Sequence, residues 1–153
     1  MQRCCKFKKP YFCFVNNEHA IEHLVKEHGI RLTDIRKSVL EIFFNHQYAL
    51  SHSDVEANLQ SDFDRVTLYR TIKTFVTKGV LHKVIDGENA ERYALCNHDH
   101  VAHKHLDNHV HFKCSTCGNT FCLDDVTVPD VQMPKGYTSN EVSMLIEGKC
   151  ENC

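Results

Sequence analysis

The sequence lacks the features that direct a chain into a membrane or out of the cell. None of its apolar runs approaches the ~20 residues that a helix needs to span a bilayer. Its first 15 residues mix basic and apolar side chains, without the apolar core and small-residue cleavage site of a secretory signal. We therefore expect a cytoplasmic protein with no membrane partner, and 153 residues suit one ordinary domain or two small ones.

A strong charge of either sign is also missing. The chain carries 18 Lys and Arg against 20 Asp and Glu, a net charge of −2. Residues 1–96 hold 14 basic against 12 acidic side chains, whereas residues 97–153 hold 4 against 8. A polyanion such as DNA would therefore meet a local patch in the N-terminal part, not a uniformly basic surface.

Signatures of an enzyme are missing as well. A zinc deaminase would carry H-x-E and a proline before C-x-x-C, and the chain has neither. No nucleophile–base pair stands out along the sequence either. We therefore predict a protein without catalytic activity.

Cysteine, in contrast, is abundant, with nine in the chain. In a reducing cytosol C-x-x-C pairs indicate metal ligands before disulfides, and the odd count argues against complete pairing. Cys114 with Cys117 and Cys150 with Cys153 supply four thiolates, which can surround Zn²⁺ at about 2.3 Å each. Four protein ligands leave no open position on the ion, so this pattern predicts a structural zinc site.

Apolar periodicity predicts four helices and then a β-hairpin. The helices are expected at residues 17–28, after an N-cap at Thr33, after a capping box formed by Ser51 and Asp54, and from about Asp64 to Lys78. The β-like runs VLHKVI and ERYALC flank an Asp-Gly turn at residues 86–89. Because the last helix has a polar outer face, the pattern favours a winged helix-turn-helix over residues 17–96. The alternative is a generic helical domain with a hairpin.

The composition changes near residue 97. Six of the twelve histidines lie between His98 and His111, and short β-like segments follow. Residues 97–153 are therefore predicted to form a second small unit, which makes the whole chain α+β. Residues 1–16 are predicted to be a short basic arm, in which Cys4, Cys5 and Cys13 have no supporting ligand spacing.

A second metal site is predicted where the two units meet. His109 and His111 are two residues apart on a predicted strand, so their side chains share one face. His82 and Cys96 fall near the open end of the predicted hairpin. Three nitrogens and one sulfur favour zinc over oxygen-seeking ions. The simpler alternatives are that His82 is a half-exposed strand residue and that residues 98–105 form a solvated polar loop.

The motifs together resemble the ferric uptake regulator family of bacterial metal-dependent repressors. The matching segments, within residues 29–153, are GIRLTDIRKSVL, VTLYRTIKTFVTKGVL, ERYALC, HVHFKCSTCG and KCENC. The resemblance implies a homodimer with an N-terminal winged helix-turn-helix and a small C-terminal α/β dimerisation domain on each chain. It also implies a double-stranded DNA operator, read by Thr67, Tyr69 and Arg70 of the recognition helix with Arg31 near a phosphate.

The resemblance is nearest to the zinc uptake regulator branch. His82, Cys96, His109 and His111 look like that branch's sensing site, and Cys122 is a possible further or replacing ligand. Where iron and peroxide sensors of the family usually carry a histidine and a carboxylate, this chain has Ala49 and Cys122. The family's helix before the last strand is replaced by TVPDVQMPKGY, whose prolines oppose a helix.

The predicted function is therefore a dimeric repressor that binds promoter DNA when Zn²⁺ fills the sensing site and that controls metal-uptake genes. Zn²⁺ is expected in both sites, in preference to Fe²⁺ or Mn²⁺ at the sensing site. The alternatives are an iron- or peroxide-sensing repressor of the same family, and a zinc-buffering or structural zinc protein without DNA binding.

Overall fold

A computed structural model describes residues 17–60, 63–84, 86–87, 91–96, 109–140 and 142–153. Its helices are α1 (Asn17–Glu27), α2 (Asp34–Asn45), α3 (His52–Asn58) and α4 (Arg65–Thr77). Its strands are β1 (Leu50–Ser51), β2 (Leu81–Val84), β3 (Arg92–Leu95), β4 (His109–Cys114), β5 (Thr120–Thr127) and β6 (Met144–Gly148). The predicted arm at residues 1–16 and the histidine-rich loop at residues 98–105 lie outside the described residues.

The helix starts follow the predicted capping residues. At α3, Ser51 Oγ accepts from the Asp54 N–H at 3.2 Å, and Asp54 Oδ2 accepts from the Ser51 N–H at 2.8 Å. This reciprocal pair satisfies two N–H groups that the helix itself leaves without partners. Asp64 caps α4 without such a reciprocal pair, and its side chain accepts from the backbone N–H of Val66 and Thr67. Thr33 stands at the start of α2, but its side chain makes no capping hydrogen bond.

The helices enclose an apolar core in the N-terminal half. Helix α4 buries Leu68, Ile72 and Phe75 on one face, at the spacing of successive helical turns. Helix α2 contributes Val39 and Leu40, both fully buried. Each such side chain stabilises the fold by roughly 1.5–3 kcal/mol relative to an exposed position. The packing of α4 on one face leaves its other face free for contacts.

The wing is a small antiparallel sheet with the strand order β1-β3-β2. Strands β2 and β3 form the predicted hairpin, with His82 opposite Ala94. Near its turn, Arg92 Nε donates to Asp86 Oδ2 at 2.7 Å and Arg92 Nη1 donates to Asp54 Oδ2 at 3.2 Å. Arg92 therefore ties the wing to the start of α3.

The C-terminal half is a second three-stranded sheet with the order β5-β4-β6. Strand β4 pairs antiparallel with β5 and parallel with β6. A parallel pair needs a crossover, and here the chain passes through β5 and then residues 128–143 before it enters β6. The described part of this crossover contains no helix, as expected from Pro129 and Pro134.

The two halves are in direct contact. The Ala49 N–H donates to the Thr120 carbonyl at 2.7 Å, and the rings of Tyr48 and Phe121 meet edge to face at 6.3 Å between centroids. On the wing side, Lys113 Nζ of β4 donates to the Asp86 carbonyl at 3.1 Å. These contacts bring β2 against the face of the C-terminal sheet that carries the histidines. Across the described ranges, every helix is too short or too polar to cross a bilayer.

Candidate metal centres and nucleic-acid interface

The four predicted cysteine ligands meet at one end of the C-terminal sheet. Their sulfur atoms all lie within 4.8 Å of one another. The Sγ–Sγ distances are 3.4 Å for Cys150–Cys153, 3.9 Å for Cys114–Cys153 and 4.0 Å for Cys117–Cys150. A tetrahedron of sulfurs at the usual zinc–sulfur distance has edges of about 3.8 Å. The cluster therefore fits a tetrahedral zinc ion.

The backbone prepares one of these thiols for a metal. Cys114 is buried, and its sulfur accepts from the Cys150 N–H at 3.4 Å. Backbone N–H donors of Cys117 and then Cys150 lower the pKa of the Cys114 thiol to about 5, so it is a thiolate at neutral pH. The pKa of Cys153 is raised to about 12, chiefly by its hydrogen bond with Cys150. A divalent cation in the cluster would compensate the negative charge that the backbone already favours at Cys114.

A second cluster lies at the joint between the halves. It consists of His82 on β2, His109 and His111 on β4, and Cys122 on β5, with ligand atoms within 4.8 Å of one another. The three histidines are buried. The ring centroid of His109 lies 4.8 Å from the centroid of His82 and 4.8 Å from the centroid of His111. Strands from both sheets thus converge on one set of three nitrogens and one sulfur.

His111 has the properties of a metal ligand that is ready to bind. Both of its ring nitrogens are buried, and the described chain offers neither of them a hydrogen-bond partner. Leaving a buried polar group in this state costs about 1–3 kcal/mol, which a bound cation would offset. Burial, and then the neighbouring His109, lower the pKa of His111 to about 4. The ring is therefore neutral at pH 7, as metal binding requires.

The two candidate cysteines lie on different sides of His82. Cys122 Sγ is 3.4 Å from Nε2 of the ring, whereas Cys96 Sγ is 3.6 Å from Nδ1. The set of four that could share one ion contains Cys122 and not Cys96. The structure places Cys96 beside His82, on the Nδ1 side of the ring, and its predicted role as a metal ligand stays a prediction. Ring orientation depends on tertiary packing and leaves no signal in residue spacing.

The outer face of α4 carries most of the predicted DNA contacts. Tyr69 is 54% exposed, Arg70 is exposed, and Val66 and Lys73 extend the same stripe at helical spacing. Thr67 is half-buried, and its hydroxyl donates to Asp64 Oδ2 at 2.5 Å, so it supports the helix start. Val66 was not among the residues predicted from the sequence, although its i, i+3, i+4 spacing to Tyr69 and Arg70 places it on the same exposed stripe.

Arg31 lies apart from this stripe along the chain. It is exposed in the loop between α1 and α2, and its carbonyl accepts from Arg36 Nη1 at 2.6 Å. The loop is thereby held against the first turn of α2.

The sequence of this chain matches the model of the ferric uptake regulator family over residues 27–145. The chain belongs to the ferric uptake regulator family. It is therefore a metal-responsive transcriptional regulator that binds DNA, and it is not an enzyme. Proteins of the family bind DNA as dimers. Membership decides against a zinc-buffering protein without DNA contact.

Individual relatives agree with this assignment. A ferric uptake regulation protein of Staphylococcus epidermidis is 27% identical over 144 residues, covering 91% of this chain and 97% of the relative. A zinc uptake regulator solved in complex with zinc and DNA is 22% identical, with a TM-score of 0.59 over 88% of this chain and 91% of that one. The Vibrio cholerae ferric uptake regulator is 18% identical, with a TM-score of 0.55 over 84% and 98%. The structural likeness confirms the predicted α+β fold. Family membership identifies the helical region as the DNA-binding part and the C-terminal β-sheet as the dimerisation domain.

Proposed function

We propose that this protein is a zinc-responsive repressor of the zinc uptake regulator branch. It would bind promoter DNA as a dimer in the cytoplasm when zinc fills the joint site, and it would control metal-uptake genes. The observation that supports this proposal is the cluster of His82, His109 and His111 with a cysteine at the joint. Three imidazole nitrogens and one thiolate suit zinc better than magnesium or manganese, which prefer oxygen.

The four-cysteine cluster has a different proposed role. Cys114, Cys117, Cys150 and Cys153 would hold a structural Zn²⁺. Their closed shell leaves no position for a water molecule or a substrate. The turn after β4 and the turn after β6 would thereby be joined, which stabilises a sheet with little core of its own.

The proposed regulatory site consists of His82, Cys96, His109 and His111, with Cys122 as the further candidate. A bound zinc ion would supply one tetrahedral centre shared by ligands from both halves. His109 and His111 belong to the dimerisation sheet, whereas His82 and Cys96 belong to the wing. Shared coordination would favour one angle between the halves, and coupling of this kind is typically about 1–3 kcal/mol. The two recognition helices of a dimer would then match successive major grooves.

The proposed DNA contacts lie on α4 and the preceding loop. Tyr69 and Arg70 would reach the major groove, and Arg70 could bind a guanine edge with two hydrogen bonds. Thr67 would fix the start of the helix close to the backbone of the DNA. Arg31 would contact a phosphate. Val66, an exposed apolar side chain on the same stripe, suits contact with a thymine methyl group.

An iron-sensing repressor is the second candidate. The curated relative from Staphylococcus epidermidis is named as a ferric uptake regulation protein and is 27% identical. Against this candidate, Ala49 and Cys122 occupy the positions where iron and peroxide sensors usually have a histidine and a carboxylate. A thiolate ligand in place of an oxygen ligand moves the preference from iron(II) toward zinc.

Metal titration with a DNA-retardation readout tests the proposal. Purified dimer, with zinc retained in the four-cysteine site, is titrated with buffered zinc, iron(II) or manganese(II) in the presence of a promoter fragment that carries its operator. We expect zinc to induce retardation at the lowest free concentration. Retardation induced first by iron(II) would support the second candidate. Retardation that is equal with and without metal would contradict a sensing role for the joint site.

A further inference from the structure

Two cysteines approach one histidine from opposite sides of its ring. Cys122 Sγ lies 3.4 Å from Nε2 of His82, and Cys96 Sγ lies 3.6 Å from Nδ1. The two nitrogens of an imidazole ring point in different directions, so one ion binds one nitrogen while the other nitrogen makes a hydrogen bond. The two sulfurs therefore cannot have the same relation to an ion bound by His82.

Cys122 is on the side of the ring that faces the other histidines. Its sulfur belongs to the group of ligand atoms within 4.8 Å of one another. It also stands opposite His111 in the β4–β5 register, so the pairing of the two strands already places these side chains side by side on one face of the sheet. A tetrahedral zinc site has a sulfur–nitrogen edge of about 3.5 Å, close to the separation of Cys122 Sγ and His82 Nε2.

On the basis of the proposed zinc site, we infer that Cys122 is its sulfur ligand and that Cys96 is a positioning residue acting through His82. Cys96 Sγ accepts a hydrogen bond from Nδ1–H, which leaves Nε2 unprotonated and directed at the cluster. Partners of this kind orient metal-binding histidines and fix their tautomer. The assignment changes the ligand set predicted from the sequence, in which Cys96 was the fourth ligand.

With this assignment, the C-terminal half supplies three metal ligands and the N-terminal half supplies one. His109, His111 and Cys122 all belong to the dimerisation sheet and form a three-ligand platform. His82 is then the single direct ligand that the described winged-helix residues contribute. The platform binds metal without His82, but DNA binding responds to the metal only when His82 completes the site.

Cobalt(II) is a suitable probe because a thiolate–cobalt bond gives a near-ultraviolet charge-transfer band. The full-length dimer is used with zinc kept in the four-cysteine site, so that cobalt enters the joint site alone. Cys122→Ser should lose the band. Cys96→Ser should keep the band, with cobalt affinity weakened about 10–100-fold, as for other residues that orient a metal ligand. Loss of the band in Cys96→Ser, or partial loss in both variants, would overturn the inference.

A variant with a carboxylate at position 122 distinguishes loss of the sulfur ligand from a folding defect, because it can still bind metal. Cys122→Asp offers an oxygen ligand at the same position, so it should bind cobalt without the thiolate band. Retention of the band in Cys122→Asp would show that another cysteine supplies the sulfur and would overturn the assignment.

His82→Ala tests the unequal arrangement. This variant should keep the thiolate–cobalt band but lose cobalt-dependent DNA retardation. His23→Ala, an exposed histidine on α1, is the matched control and should respond as the unmodified protein does. Cobalt-dependent retardation that persists in His82→Ala would overturn the inference. If the unmodified protein neither binds cobalt at the joint nor responds to it on DNA, the proposed sensing function itself fails.

Discussion

The two metal centres lie at opposite ends of the same strand and are built in contrasting ways. Strand β4 begins with His109 and His111 and ends with Cys114. The cysteine cluster is formed by two short turns within one sheet, whereas the histidine cluster draws on β2, β4 and β5 from both halves. A site made by local turns can stabilise a sheet, but it cannot report on the angle between domains. A site shared between domains can do so.

The same contrast appears in the protonation of the two centres. Backbone N–H donors hold the pKa of Cys114 at about 5, so negative charge is present before any metal binds. Burial instead lowers the pKa of His111 to about 4, so this ligand is neutral before any metal binds. The cysteine cluster therefore attracts a cation strongly, and the neutral histidine cluster attracts one more weakly. This difference suits a permanently filled site beside a reversible one.

The largest effect is expected from breaking the cysteine cluster. Cys117→Ser should release zinc and unfold or monomerise the dimerisation domain, because structural zinc contributes about 10–16 kcal/mol to folding in small zinc-dependent domains. Zinc content, thermal unfolding and sedimentation measure this. Cys122→Ser is the matched control and should remain a folded dimer. A Cys117→Ser protein with unchanged melting and dimerisation would remove the proposed difference between the two sites.

Arg70→Ala should have the next largest effect, on DNA and not on metal. Loss of a bidentate contact to a base costs about 1–3 kcal/mol, which corresponds to roughly 5–150-fold weaker operator binding. Metal content should be unchanged, since Arg70 lies on the outer face of α4. Fluorescence anisotropy with labelled operator measures the affinity, and Lys26→Ala on α1 serves as the control. Unchanged affinity in Arg70→Ala would mean that another surface reads the DNA.

A smaller effect is expected at the contact between Lys113 and the wing. Lys113→Met removes the hydrogen bond to the Asp86 carbonyl. We expect this to lower the free energy of unfolding by about 1–2 kcal/mol, less than the loss of a fully buried charged pair. Zinc should still bind, but its effect on operator affinity should fall by up to about tenfold, because β4 and the wing are less firmly joined. Paired zinc and DNA titrations measure both quantities, with Lys135→Met as the exposed control. A normal zinc effect would show that His82 alone carries the coupling.

The smallest effect concerns pH. The folded-state pKa of His111 lies below its ordinary value, so the unfolded chain takes up protons more readily in acid. Stability without metal at the joint is therefore complete above about pH 6.5 and is lost as the pH falls toward 4. Urea unfolding between pH 7 and 5 measures this slope. His111→Asn should flatten it, and an unchanged slope in that variant would assign the titration to another group.

Features encoded by short spacings could be predicted from the sequence. The two C-x-x-C pairs indicated the cysteine cluster, the capping residues Ser51 and Asp54 marked the start of α3, and Pro129 with Pro134 indicated a crossover without a helix. These signals work because each C-x-x-C pair and each capping pair is formed within a few positions of the chain, and four thiolates then suit one zinc ion. The winged helix and the hairpin followed from apolar periodicity for the same reason.

Features set by packing between distant strands could not be predicted in this way. The choice between Cys96 and Cys122 depends on how the His82 ring is turned, which the spacing between these residues does not encode. The contact of Lys113 with Asp86 likewise depends on how the two halves dock. The predicted DNA contact of Thr67 stays a prediction; its hydroxyl donates to the N-cap Asp64 in the described structure.

Arg92 links two parts of the winged helix through its side chain. It binds both Asp54 at the start of α3 and Asp86 near the wing turn, so we expect the wing and the helices to move as one unit. A small rotation at His82 would then swing α4 as a whole and leave the shape of its reading face unchanged. Metal would accordingly alter the distance between the two recognition helices of a dimer. We therefore expect it to change the preferred spacing of operator half-sites more than the bases preferred within each one.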